Sequence, residues 1–166
     1  MTASQATAAP YPLAAQPHRP GAGLLMDCAA HASEADIAAL RHQAADTARR
    51  AYLDAVDALA DDVALVTSEL VANAVRHGGR GAIEVRQALV AGWVVLCVFD
   101  TSSAPPVLRE LGPDREDGRG LHVVDALSSG RWGHFPIPGG KYVWAQLSLP
   151  APQTAATPTN SPMEGS

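Results

Sequence analysis

Residues 61–79 read DDVALVTSELVANAVRHGG, and this stretch decides how the rest of the chain is read. On a 3.6-residue period, Leu59, Val63, Val66, Leu70 and Ala74 fall on one apolar stripe. Val71 and Val75 point the other way, so the helix is apolar on two sides and is expected to be sandwiched. Glu69 and Asn73 stand four residues apart, one above the other on a face that borders the stripe. A carboxylate and a carboxamide are thus aimed at a half-buried place. Unpartnered burial of such groups costs on the order of a few kcal/mol each, so protein, metal or ligand must meet them. Taken by itself, the pair reads more readily as a solvated helix edge, and the rest of the chain has to decide. The helix stops at His77-Gly78-Gly79, with cationic side chains in its last turn and glycine beyond.

Before this helix, Leu24–Ala29 is short and apolar and reads as a first strand. Ser33 is a helix N-cap with Asp36 in the turn that follows, so a helix is expected from about Glu34 to Ala58, with a break near Ala55 where the apolar period drifts. After it, Ala82–Val90 alternates at Ile83, Val85 and Gln87, as a strand with one wet face does. Ala91-Gly92 makes a tight turn into Trp93–Phe99, which is almost wholly apolar and is expected to be central and covered on both faces. Residues 101–119 carry three prolines and charge without a period. Leu121, Val124 and Leu127 then fit a short helix, followed by strands at Arg131–Phe135 and Tyr142–Leu149 around a turn at Pro138-Gly139-Gly140. Helices first and antiparallel strands after them give an α+β class: a two-layer α/β sandwich, its sheet mixed but mostly antiparallel, with the helices on one face. Residues 1–23 and 150–166 are rich in Ala, Pro and Thr without periodicity and read as disordered tails around one domain at 24–149.

The composition narrows the function. A 166-residue chain that is 47% hydrophobic supports one core. A net charge of −5 argues against direct nucleic-acid binding. No apolar run reaches membrane-spanning length, and no signal peptide is evident, so a cytoplasmic protein is expected. The two cysteines, Cys28 and Cys97, suggest neither a disulfide framework nor a metal cluster, and Cys97 reads as a buried structural thiol. His31, His42, His122 and His134 show no ligand spacing, and Trp132 and Trp144 read as core aromatics.

Three features could carry chemistry besides the central helix. Asp100 leaves the buried strand beside an irregular loop, where it can accept a hydrogen bond from an exocyclic amine or simply form an Asx turn. Gly118-Arg119-Gly120 opens a helix, where bare backbone and free N–H groups can hold phosphate, or where two glycines merely make a loop exit. Lys141 after Gly139-Gly140 faces a phosphate or caps a hairpin, with nothing to choose between these. His77 reads better as a favourable charge at a helix C-terminus than as a ligand contact.

Taken in order, SELVANAVRHG, a strand ending in DTSSAPP, GRGLHVVDALSSGRWG and GGKYVWAQL resemble the histidine kinase/Hsp90-like ATPase superfamily, the GHKL or Bergerat fold. They are similar in particular to small bacterial anti-sigma-factor serine/threonine kinases and their actinobacterial relatives. The resemblance implies ATP as ligand and Mg2+ as cofactor. It makes Glu69 the general base and Asn73 the metal-binding asparagine. Asp100 becomes the acceptor for the adenine amino group, with Ser102 beside it. Gly118, Arg119, Gly120 and Leu121 become the phosphate-holding glycine box, and Leu108–Asp117 the lid. The implied activity is phosphorylation of an anti-sigma-factor antagonist, regulating transcription through a sigma factor; a homodimer through the first strand and helix is left open. One departure stands out: the broader superfamily has glycines where this chain has Ser102 and Ala104, followed by Pro105-Pro106. That departure motivates a different reading, a non-catalytic nucleotide-sensing interaction module of the same fold.

Overall fold

The structure, a computed structural model, describes residues 22–31, 34–51, 57–78, 81–90, 92–108 and 119–149. The element order is β1 (Ala22–His31), α1 (Glu34–Ala51), α2 (Asp57–His77), β2 (Ala82–Val90), β3 (Trp93–Asp100), α3 (Arg119–Leu127), β4 (Trp132–Ile137) and β5 (Gly140–Ser148). The five strands form one sheet in the order β1-β2-β3-β5-β4, and every pairing is antiparallel. The expected mixture therefore resolves to an antiparallel sheet throughout, and the α+β sandwich stands. Both terminal segments read as tails fall almost entirely outside the described residues, as does most of the lid.

The sequence pattern explains the layers. Along β3, Val94, Leu96 and Val98 face the helices and join one core with Val63, Val66, Leu70, Val71 and Ala74 of α2. The alternate residues Val95 and Cys97 join Tyr142 and Trp144 in a second cluster on the other face. Burial on both faces is what the unbroken apolar run of β3 required. Burial also pushes the Cys97 thiol up to about 12, with Arg86 opposing, consistent with an inert structural cysteine. Helix α2 packs on α1, α3 and the sheet, so its two apolar sides are both used.

Some boundaries move. Asp57 and Ala58, assigned to the first helix, begin α2 instead, because DALADD supplies acidic first-turn residues and strong helix formers. β1 is longer than expected, since pairing with β2 from Ala22↔Val90 to His31↔Ala82 holds residues that are not themselves apolar. β4 runs on to Ile137, with Pro136 in an edge strand where its missing N–H is tolerated. No helix among the described residues is long and apolar enough to cross a membrane.

Candidate functional site

Helix α2 is the spine on which the site residues are hung. At its C-terminal end, the Gly78 N–H donates to the Ala74 carbonyl at 2.7 Å, and the Gly78 carbonyl accepts from Thr101 Oγ1 at 2.7 Å. Gly78 has no positive φ. What it supplies is space: a Cβ there would lie 2.5 Å from Asp100 Cβ and 2.9 Å from Asp100 Cγ. The end of α2 thus rests directly on Asp100.

Asp100 ends β3 on the helix-facing side, in line with Val98, and is 2% exposed. Its cross-strand partner on β5 is Lys141. The two form a buried ion pair, Lys141 Nζ to Asp100 Oδ1 at 2.7 Å, with side-chain exposures of 4% and 3%. Lys141 Nζ also donates to the Ser102 carbonyl at 3.2 Å, and the Ser102 N–H donates to Asp100 Oδ1 at 2.9 Å. The Asx turn weighed from the sequence is therefore present, and Asp100 has a second partner that the sequence reading gave to phosphate or to a hairpin. Lys141 is engaged with Asp100 because antiparallel pairing sets the start of β5 against the end of β3. Gly140 makes this possible: a Cβ on it would meet the Asp100 carbonyl oxygen and lie 2.7 Å from Phe99 Cε2.

At the other end, α3 packs on α2 and brings Gly120 against Glu69: a Cβ on Gly120 would meet Glu69 Oε2. Glu69 and Asn73 are both partly exposed, so neither is sealed in the core. Arg119 is exposed at the first residue of α3, while Leu121 is buried and packs inward. The helix begins at Arg119, so Arg119 and Gly120 belong to its first turn, whose N–H groups have no intrahelical acceptors. Gly118 lies outside the described residues.

Nine residues separate Glu69 from Gly78, which at 1.5 Å per residue is roughly 13 Å along the helix. Asp100 is fixed at one end of that span, Gly120 at the other, and Asn73 falls between them. The span thus carries a buried carboxylate at one end, an amide in the middle and a carboxylate beside a helix N-terminus at the other. Among the described residues no three His, Cys, Asp or Glu side chains cluster to hold a metal. A cation here would have to bring most of its own ligands, which suits magnesium bound to phosphate oxygens and water, with Asn73 offering one carboxamide oxygen.

The sequence reading missed Lys141 as the partner of Asp100 and missed Gly78 and Gly140 as the residues that admit Asp100. The parity of β5, with Lys141 on the same face as Val143, Ala145 and Leu147, carried that signal, but only once β5 is known to pair with β3. Comparison with curated proteins returns no match. The family of the histidine kinase-like ATPase domain, of GHKL type, matches residues 30–130, a span that holds α1, α2, β2, β3 and α3 and with them every site residue but Gly140 and Lys141. This chain belongs to the histidine kinase-like ATPase domain family.

Proposed function

We propose that the protein is an ATP- and Mg2+-dependent serine/threonine protein kinase of the anti-sigma-factor type. The observation that supports this most is the spacing along α2, which holds Asp100 and Glu69 at the two ends of one nucleotide-length span. Asp100 accepts the adenine amino group. Arg119, Gly120 and Leu121, with Gly118 before them, hold the phosphates through backbone N–H groups at the start of α3. Asn73 binds the magnesium ion, which when bound neutralises charge developing on the phosphoryl group. Glu69 accepts the proton of the acceptor hydroxyl as that oxygen bonds to the γ-phosphorus and the bond to the β–γ bridging oxygen breaks, leaving ADP. The acceptor is a serine or threonine of an anti-sigma-factor antagonist, and a sigma factor is the second partner. The domain that does this is 24–149, and its setting is cytoplasmic.

Calorimetry with Mg·ATP on wild type and Asp100→Asn tests binding; equal indifference of both proteins to nucleotide defeats the reading. Labelled ATP with antagonist proteins then tests transfer, which Glu69→Ala must abolish. The second reading, a non-catalytic nucleotide-sensing module, draws support from the segment after Asp100, where Ser102, Ala104 and Pro105-Pro106 stand in place of glycines. Tight nucleotide binding without transfer to any partner selects it.

A further inference from the structure

Lys141 is the buried charged group that the proposed reaction leaves without a task. A carboxylate oxygen has two lone pairs, and those of Asp100 Oδ1 are both taken, by Lys141 Nζ at 2.7 Å and by the Ser102 N–H at 2.9 Å. The contact from Lys141 Nζ to the Ser102 carbonyl at 3.2 Å closes these groups into a ring. Both charged side chains are almost wholly buried. Asp100 therefore meets a ligand through Oδ2 alone.

We infer that Lys141, acting with the Ser102 amide, determines base selectivity by occupying Asp100 Oδ1. Adenine offers its exocyclic amine, which one carboxylate oxygen satisfies. Guanine offers two parallel donors, N1–H and the 2-amino group, and a carboxylate reads them best with both oxygens at once. With Oδ1 occupied, that bidentate contact is closed, and guanine would bury a donor without an acceptor. The ion pair has a second effect on the same choice. It neutralises Asp100, so an uncharged base can be enclosed beside it without facing a bare buried charge. Lys141 is a positioning residue in this scheme, because it touches Asp100 and not the base. The inference rests on the reading that Asp100 faces the nucleobase.

The test is the ratio of the dissociation constants of Mg·GDP and Mg·ADP, measured by calorimetry on the full chain. Wild type should favour ADP by at least about a hundredfold. Lys141→Met removes one occupant of Oδ1 and should lower that ratio by about tenfold or more, as loss of a charged hydrogen-bond constraint does. A purely structural role for Lys141 would weaken both nucleotides alike and leave the ratio where it was. Ser102→Pro removes the other donor while leaving the Lys141 side chain and the backbone carbonyl at position 102 that it donates to, and it carries the same test if Lys141→Met does not fold. A wild type that binds GDP as well as ADP overturns the inference, as do variants that bind ADP and keep the wild-type ratio. A folded wild type that binds neither nucleotide defeats the proposed function, and this inference with it.

Discussion

Replacing Gly78 by alanine should destabilise this domain, because the added methyl group would meet the Ala74 carbonyl of its own helix end and press on Asp100. The new Cβ would lie 2.5 Å from Asp100 Cβ and 2.9 Å from its Cγ. Contacts that short demand movement. Asp100 cannot move cheaply, because its backbone pairs with Lys141 on β5 and its carboxylate is held by Lys141 and Ser102. Overpacking a fixed site costs about 1–3 kcal/mol, and breaking a buried pair by displacing one partner costs about 3–5 kcal/mol. A small gain of about 0.4–1 kcal/mol from stiffening the unfolded chain opposes these. With the pair strained rather than broken the net loss reaches up to about 2.6 kcal/mol, or up to roughly 10 °C in melting temperature for a domain of this size, and with the pair broken it is about 3–7 kcal/mol. Thermal and urea unfolding of Gly78→Ala read it directly. Gly92→Ala is the control, since it has a positive φ but open space around it, so its cost is backbone strain alone and leaves nucleotide binding unchanged. A Gly78→Ala protein that melts within about 1 °C of wild type would refute the claim that this glycine exists to admit Asp100.

Gly120→Ala should behave in the opposite way. Its Cβ meets only the flexible tip of Glu69, so stability should stay level or rise by up to about 1 kcal/mol, while phosphotransfer falls because the carboxylate is pushed aside; unchanged transfer would remove the contact from the reaction centre. Gln87 is wholly buried on the core face of β2, and among the described residues neither polar atom of its amide finds a hydrogen-bond partner. Gln87→Leu should therefore stabilise the fold by about 1–3 kcal/mol in urea unfolding, and a destabilised variant would mean that the amide is satisfied after all. The Cys97 thiol is pushed up to about 12 from its ordinary 9.0, so its contribution is fully present below pH 9 and is lost as pH rises towards 12. At about 1.36 kcal/mol per pKa unit this is on the order of 4 kcal/mol. Cys97→Ala should flatten the alkaline fall in stability, while the part due to Tyr142, pushed up to about 12 by burial and its bond to Glu84, remains. An equally steep fall in Cys97→Ala, followed by urea midpoints between pH 9 and 12, would show that the thiol is not the group responsible.

The legible parts of this protein are those where one segment carries its own signal. The stripe of α2, the alternation of β2 and the unbroken apolar run of β3 each fixed an element to within a few residues. Glu69 and Asn73 could be placed on one face because their spacing is a helix property. Lys141 could not be matched to Asp100 in the same way. The two residues are 41 apart, and their contact depends on β5 lying between β3 and β4 in the sheet, a choice that tertiary packing makes. Gln87 shares the parity of Ile83 and Val85, so the alternation of β2 placed it on their face, but not that its amide would be wholly buried there. Leu59 already lay on the stripe of α2, so the earlier start of that helix at Asp57 was readable in hindsight from its own period.

The residues after Asp100 depart from the superfamily pattern, yet the aspartate is still approached closely by bare backbone. The glycines that the resemblance places downstream are replaced by Ser102 and Ala104, and the bare backbone positions appear elsewhere. Gly78 comes from the end of α2 and Gly140 from the start of β5, and both press on Asp100 where a side chain would not fit. The Ser102 amide then does what a flexible glycine could not do as reliably: it donates to Oδ1 within an Asx turn, which Ala104 N–H extends by donating to Ser102 Oγ at 3.1 Å. Freedom in the loop has been exchanged for rigidity around the carboxylate. Restoring glycine at 102 should therefore leave the Lys141 pair in place, since its partners are on β3 and on the backbone carbonyl, but loosen the turn that orients Oδ2. The consequence to look for is a weaker ADP affinity with an unchanged melting temperature, a separation that a merely structural loop would not produce.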